Sequence, residues 1–125
     1  MRKEETKMSE VVDGALAAMD SLAGEQEGFL SVRAGNNDRV YGEDTPDGRC
    51  IVWQYHDTAI VRLYPDVHAV KVWTEGWHTA TTKERIAAAL RHFCDESLYQ
   101  KNWVWYTGRN GKKFFVDGGL YPMRD

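Results

Sequence analysis

Three features of this 125-residue chain point to an α+β fold. Two stretches place apolar residues at helical spacing. Between them lies a run of alternating β-branched and aromatic residues, and after the second comes a Trp-rich hairpin pattern. They predict an antiparallel meander sheet packed against one main helix at about 82–97, with an additional N-terminal helix. The length allows a single domain over residues 1–125, with the charged residues 1–8 read as a flexible lead.

Taken in order, Ser9 is an acceptable N-cap for the first helix, which runs to about Ala23, where Gly24 is a natural stop. Val12, Ala15, Leu16, Met19 and Leu22 form its apolar stripe, and Gly14 inside it costs ~1 kcal/mol relative to alanine. Phe29–Arg33 and Arg39–Tyr41 are short strand-like runs. The acidic, turn-rich Gly42–Gly48 reads as the most mobile loop and leads into the apolar Cys50–Tyr55. Thr58–Tyr64 alternates, with Ala59, Val61 and Leu63 on one face and Thr58, Ile60, Arg62 and Tyr64 on the other. Pro65-Asp66 begins a turn, and Ala69–Trp73 returns as the second arm of a hairpin. Thr81 and Glu84 are spaced as a capping box, and behind them Ile86, Ala89, Leu90, Phe93 and Cys94 fall on one helical stripe. Trp103–Thr107 and Lys113–Val116 form the last hairpin around Gly108–Gly111, where Asn110-Gly111 supplies positive φ angles.

Apolar residues at 42% and aromatics at 12% supply a packed core and exclude disorder of the whole chain. The 16 basic and 19 acidic residues leave a net charge of −3, which argues against a polybasic coat on DNA. The halves differ: residues 1–50 carry 6 basic and 11 acidic side chains, and residues 51–125 carry 10 and 8. Tyr99–Val116 contains Lys101, Arg109, Lys112 and Lys113 and no acid. No apolar run has the length of a membrane span and no signal peptide opens the chain, so a soluble protein of the (host) cytoplasm is expected. Cys50 and Cys94 sit inside apolar runs, as small buried hydrophobes rather than a disulfide.

The four histidines lack metal-ligand spacing, His56-Asp57 reads as a polar strand end, and no nucleophile motif is present. No catalytic residue, metal or cofactor is therefore expected. The segment Gly76–Arg85 stands apart because it gathers donors at the start of a helix, where unpaired N–H groups and the dipole favour an anion. Thr79, Thr81 and Thr82 are its hydroxyl donors, Lys83 and Arg85 its cations, and Trp77 and His78 the rings that shape or stack on a ligand. Lys101, Trp103, Trp105, Arg109 and Lys112 form a second, basic and aromatic candidate surface.

Tyr55-His-Asp-Thr-Ala-Ile-Val, Pro65-Asp66, Gly76-Trp-His-Thr-Ala-Thr-Thr-Lys-Glu-Arg-Ile and Phe115-Val-Asp-Gly together resemble a pattern in small tailed-phage and prophage proteins. Most members of that family have no assigned function. The resemblance covers about residues 50–120 and departs from the usual pattern at Val67, where a glycine is expected, and at Thr74-Glu75. It implies a non-enzymatic phage accessory protein that acts against host defence by binding. One expected role is sequestering a phosphorylated small molecule such as a nucleotide signal in the Gly76–Arg85 segment. The other is an anti-CRISPR-like inhibitor of a host defence protein or its nucleic-acid site, using the acids Glu25, Glu27, Asp38, Glu43, Asp44 and Asp47. Edge strands and surplus aromatics leave a homo-oligomer open.

Overall fold

A computed structural model describes residues 3–24, 31–108 and 113–124. It is α+β. Helix α1 (Lys3–Ala23) is followed by strands β1 (Val32–Arg33), β2 (Asp38–Thr45), β3 (Gly48–Tyr55), β4 (Thr58–Tyr64) and β5 (Ala69–Val72). Helix α2 (Ala80–Cys94) comes next, then β6 (Leu98–Lys101), β7 (Val104–Thr107), β8 (Lys113–Phe114) and β9 (Gly119–Pro122). The main sheet has six antiparallel strands in the order β1-β2-β3-β4-β5-β9, and β6-β7-β8 form a separate three-stranded sheet. Among the described residues no helix is long and apolar enough to cross a membrane.

Both helices cover one face of the main sheet. Val12, Ala15, Met19 and Leu22 of α1 and Ile86, Ala89, Leu90 and Phe93 of α2 pack with Val40, Ile51, Trp53, Val61, Leu63, Val70 and Val72. The apolar stripes read from helical spacing are the buried faces. Asp20 and His92 meet across the helix pair at 2.7 Å, and an Arg49 guanidinium nitrogen donates to the Leu22 carbonyl, satisfying a C-terminal acceptor of α1.

Several elements depart from expectation, each for a local reason. Helix α1 begins at Lys3, so Ser9 is interior and residues 3–8 are helical in backbone; Lys, Glu and Met are strong helix formers and carry the helix past the acceptable cap. Gly42–Thr45 is not a loop but the second half of β2, paired residue for residue with Gly48–Ile51 across a Pro46-Asp47 turn. The Thr45 hydroxyl donates to the Gly48 carbonyl and accepts from the Asp47 N–H, so the turn chemistry was confined to fewer residues than composition suggested. In β4 the alternation breaks at a bulge opposite Trp53 and Gln54. Ile60 thereby joins the main core while Ala59 packs with Cys50, Val52 and Tyr64 on the far face.

The α2 cap also lies elsewhere. Thr79, not Thr81, is the N-cap: its hydroxyl accepts from the Thr82 N–H at 3.2 Å. That start leaves Glu84 outside the capping geometry. The helix ends at Cys94 because Asp95 turns into the left-handed region (φ 52°) and returns its N–H to the Leu90 carbonyl. The strands β6 and β9 had no counterpart in the sequence reading, and the predicted Phe29–Leu30 and Arg109–Lys112 positions lie outside the described residues.

One polar contact crosses the core. Asp38, 2% exposed, accepts from Arg85 Nε at 2.7 Å and from a terminal Arg85 nitrogen at 2.9 Å, and its second bond on Oδ2 comes from Trp53 Nε1 at 2.8 Å. Arg85 also donates to the Thr81 carbonyl at 3.1 Å and stacks its guanidinium 3.8 Å from the centroid of Tyr55. Removing one partner of a buried, bidentate pair leaves an uncompensated charge, so Arg85→Met should cost about 3–5 kcal/mol in urea unfolding. An Asp38→Leu/Arg85→Met double variant should recover part of that loss; a double variant as unstable as the sum of the singles would contradict it. On α1, Gly14 is exposed and a Cβ there meets nothing within 4 Å. Gly14→Ala should therefore raise stability by ~0.5–1 kcal/mol in the same measurement.

Candidate functional site

The β3–β4 hairpin end, the loop after β5 and the first turn of α2 enclose a pocket of about 370 Å³. That volume lies in the range of small-molecule sites. Its walls are Tyr55, His56, Asp57, Thr58 and Ile60 from the hairpin and Thr74, Trp77, Thr79, Thr81 and Thr82 from the other two elements. Each element is held there by a specific local device.

The loop is held by Asp117. Its Oδ1 accepts from the Thr74 N–H and hydroxyl at 2.9 and 2.8 Å, and its Oδ2 accepts from the Glu75 N–H at 2.7 Å. Gly118 makes this possible: its φ is +79°, its N–H donates to the Val72 carbonyl, and a Cβ would come within 3.2 Å of Trp73 Nε1. The loop then turns through Glu75 and Gly76, both at positive φ, and presents Trp77 with 64% of its surface exposed. The hairpin end is fixed by the His56 N–H donating to the Asn37 carbonyl and by His56 resting against the Tyr55 ring at 4.3 Å.

A chain of hydroxyls lines the helical wall. Tyr55 donates to Thr81 Oγ1 at 3.1 Å, Thr79 and Thr81 lie 3.3 Å apart, and Thr79 donates to Thr82 Oγ1 at 3.0 Å. A hydroxyl has one proton, so Thr81 is the donor in its contact with Thr79 and the chain runs in one direction from Tyr55 to Thr82. Beside it, the Ala80 and Thr81 N–H groups belong to the first turn of a 15-residue helix and have no intrahelical acceptor.

Of the residues expected to bind a ligand, Trp77, Thr79, Thr81 and Thr82 are brought together on the pocket wall. His78, Lys83 and Arg85 are not among its walls. His78 packs its ring 4.7 Å from Trp105, and Lys83 is half-buried on another side of α2. Arg85 cannot supply the ligand's charge as expected, because Asp38 holds its guanidinium within the core. Tyr55, His56, Asp57, Thr58, Ile60 and Thr74 were missed as wall residues; the first five follow one another around the hairpin end that carries part of the phage-like pattern.

The second candidate surface divides. Trp103 is 89% exposed and Lys101 is exposed, whereas Trp105 is 5% exposed and packs in the main core against His78 and Phe115. Its indole N–H has no acceptor among the described residues. Arg109 and Lys112 lie outside the described residues. The acidic array also dissolves: Asp38 is buried, Glu43 pairs with Arg62 at 3.1 Å, Asp44 and Asp47 are exposed, and Glu25 and Glu27 lie outside the described residues.

Cys50 and Cys94 are free and occupy different clusters. Burial pushes the Cys94 thiol up to about 11, and burial likewise raises Cys50 despite the nearby Arg62, so neither carries an activated thiolate. Among the described residues no group of three or more His, Cys, Asp or Glu side chains could hold a metal ion.

Comparison with known families places the chain among bacteriophage proteins. It belongs to the Kyanoviridae Gp96 protein family, which matches residues 30–120. The match begins well ahead of residue 50, so β1 and β2 lie within the family region as well. No curated protein and no solved structure matches the chain.

The Asp117 clamp yields a direct test. Asp117→Ala removes three hydrogen bonds to a carboxylate, and should accelerate amide exchange at Thr74 and Glu75 by at least tenfold while lowering stability by about 1.5–3 kcal/mol. Unchanged exchange at both amides would show that the loop is held by something else.

Proposed function

We propose that this phage protein binds a small phosphate-bearing ligand with a flat ring, of the nucleotide class, and acts against host defence by sequestering it. The observation that carries the reading is the convergence of Trp77 and the Thr79–Thr82 turn on one ligand-sized pocket. In this reading the ring stacks on Trp77, the anion meets the Ala80 and Thr81 N–H groups and the Thr82 hydroxyl at the end of the directed chain, and Asp57 accepts from a ring N–H. Arg85 positions Thr81 through the bond to its carbonyl without reaching the ligand, and Tyr55, itself a wall residue, positions it through the bond to its hydroxyl.

Among the described residues no lysine or arginine lines the pocket, so charge is neutralised by the helix end and hydrogen bonds. Affinity should therefore vary little with salt, because few screened ion pairs contribute. The inhibitor reading through an acidic surface has lost two of its six positions to internal ion pairs and has no specific observation in its favour.

Native mass spectrometry of the protein purified from host cells, followed by titration with a panel of cyclic mono- and dinucleotides, tests the proposal. A retained or titrated nucleotide is expected. Trp77→Ala should weaken binding at least tenfold, with the thermal midpoint unchanged within about 3 °C because the side chain is exposed. No retained mass and no binding across the panel, or a Trp77→Ala protein that binds like the parent, would reject it.

A further inference from the structure

The β6–β7–β8 sheet turns its inner face, with Leu98, Trp105 and Thr107, toward the body of the protein. On the opposite face Tyr99, Tyr106 and Phe114 lie directly across from one another on the three strands. Their rings form a ladder, with centroids 5.4 Å apart at each step and interplanar angles of 25° and 31°. Phe114 ends the ladder with 68% of its surface exposed, and Val104 shares this face beside Tyr106's strand neighbours.

At the tip of the β6–β7 hairpin, Asn102 and Trp103 occupy the two central positions of the turn, at φ +52° and +69°. Turns with both central residues at positive φ favour Asn-Gly. The second position here carries a tryptophan, which is strained in that region and 89% exposed. Folding gains nothing from a bulky ring there, and strained residues that stability does not explain are candidates for a role in binding.

Charge selects the occupant. In the sequence, residues 97–116 contain four basic residues and no acid, in a chain whose net charge is −3; of the two that are described, Lys101 stands on the ladder's face and Lys113 on the inner face. The remainder of the molecule is thus at −7, and this segment is at +4. An aromatic platform could take a sugar or a base, but a local cationic surplus complements a polyanion. The exposed amide of Asn102 adds a hydrogen-bonding group at the tip beside Trp103. We propose that the outer face of β6–β7–β8, with Trp103 at its tip, is a stacking platform for single-stranded nucleic acid. Bases stack on Trp103 and on the open face of Phe114, while Lys101, which shares the ladder's face, meets a phosphate. The platform is distinct from the pocket and does not depend on what the pocket binds.

Fluorescence anisotropy of the full chain with a fluorescein-labelled 15-nucleotide oligo-dT, and with oligo-rU, tests it. Saturable binding is expected, and each neutralised phosphate would weaken it about 2.6-fold between 50 and 200 mM salt. Trp103→Gly should weaken binding by about 5- to 160-fold, the worth of one stacked base, while raising the thermal midpoint by a few degrees through relief of the turn. Phe114→Ser should weaken binding without changing the circular dichroism spectrum. Val67→Ser, at an exposed apolar position on the β4–β5 turn, should leave binding intact. No anisotropy change up to 100 μM protein, or parental affinity in both Trp103→Gly and Phe114→Ser, overturns the proposal. So does a dimer that Phe114→Ser dissociates, or attachment to anionic vesicles in the absence of oligonucleotide binding.

Discussion

The Asp38–Arg85 pair is the contact around which the rest of the molecule is arranged. Asp38 opens β2, Arg85 sits one turn into α2, and 47 residues separate them. A buried ion pair is a weak net stabiliser, because desolvation of both charges offsets most of their attraction. Its value here is positional. The carboxylate takes one bond from Trp53 and two from Arg85, so β2, β3 and α2 share one register. The same guanidinium lies over Tyr55 and bonds the Thr81 carbonyl, and Tyr55 in turn bonds the Thr81 hydroxyl. The pocket's helical wall and its hairpin wall are thereby joined through one side chain that neither lines the pocket nor reaches solvent.

This arrangement explains why some of the architecture was legible in the sequence and some was not. Helical periodicity depends on which residues face the core, and burial reproduces it for both helices: Val12, Met19, Ile86 and Phe93 were readable from spacing alone. The β4–β5 hairpin was equally plain because Pro65-Asp66 marks its turn. Caps and charges are different, since their partners are settled by three-dimensional contacts. Thr79 and Thr81 are chemically equivalent capping candidates, and the loop fixed by Asp117 decides between them. Arg85 looked like a surface cation because Asp38 is far away in sequence, and Asp38 looked like part of an acidic face for the same reason. The threonines and Trp77 of the pocket were identified from a motif and a helix start, whereas the hairpin wall needed the fold to be seen beside them. Strands β6 and β9 escaped notice because four-residue edge segments carry too few alternations to be distinguished from loops.

The Phe115–Gly118 segment is an example of a motif whose role is visible only in the fold. Asp117 lies far from the pocket in sequence and bonds no wall side chain except Thr74, yet it determines the path of the loop that carries Trp77. Gly118 lets the chain pass close to Trp73 before β9 joins the sheet edge beside β5. The C-terminal strand therefore does two things at once: it covers the β5 edge, which would otherwise expose unpaired backbone groups, and it anchors the clamp.

The pocket and the outer aromatic sheet rest on different physics, although Trp105 and His78 bring the two regions into contact. The pocket's walls hold one carboxylate, one imidazole and a directed chain of hydroxyls, so any discrimination there would depend on hydrogen-bond direction in a partly enclosed space. Such interactions are short-ranged and insensitive to ionic strength. The small sheet instead stands in a segment with no acidic residue, on a molecule that is otherwise strongly acidic, and its attraction for a polyanion is long-ranged and screened within about 8 Å at physiological salt. A net charge of −3 averages these two regimes into near-neutrality. The acidic remainder also repels a rigid duplex laid across the whole molecule. A flexible single strand that touched only the small sheet would avoid that repulsion.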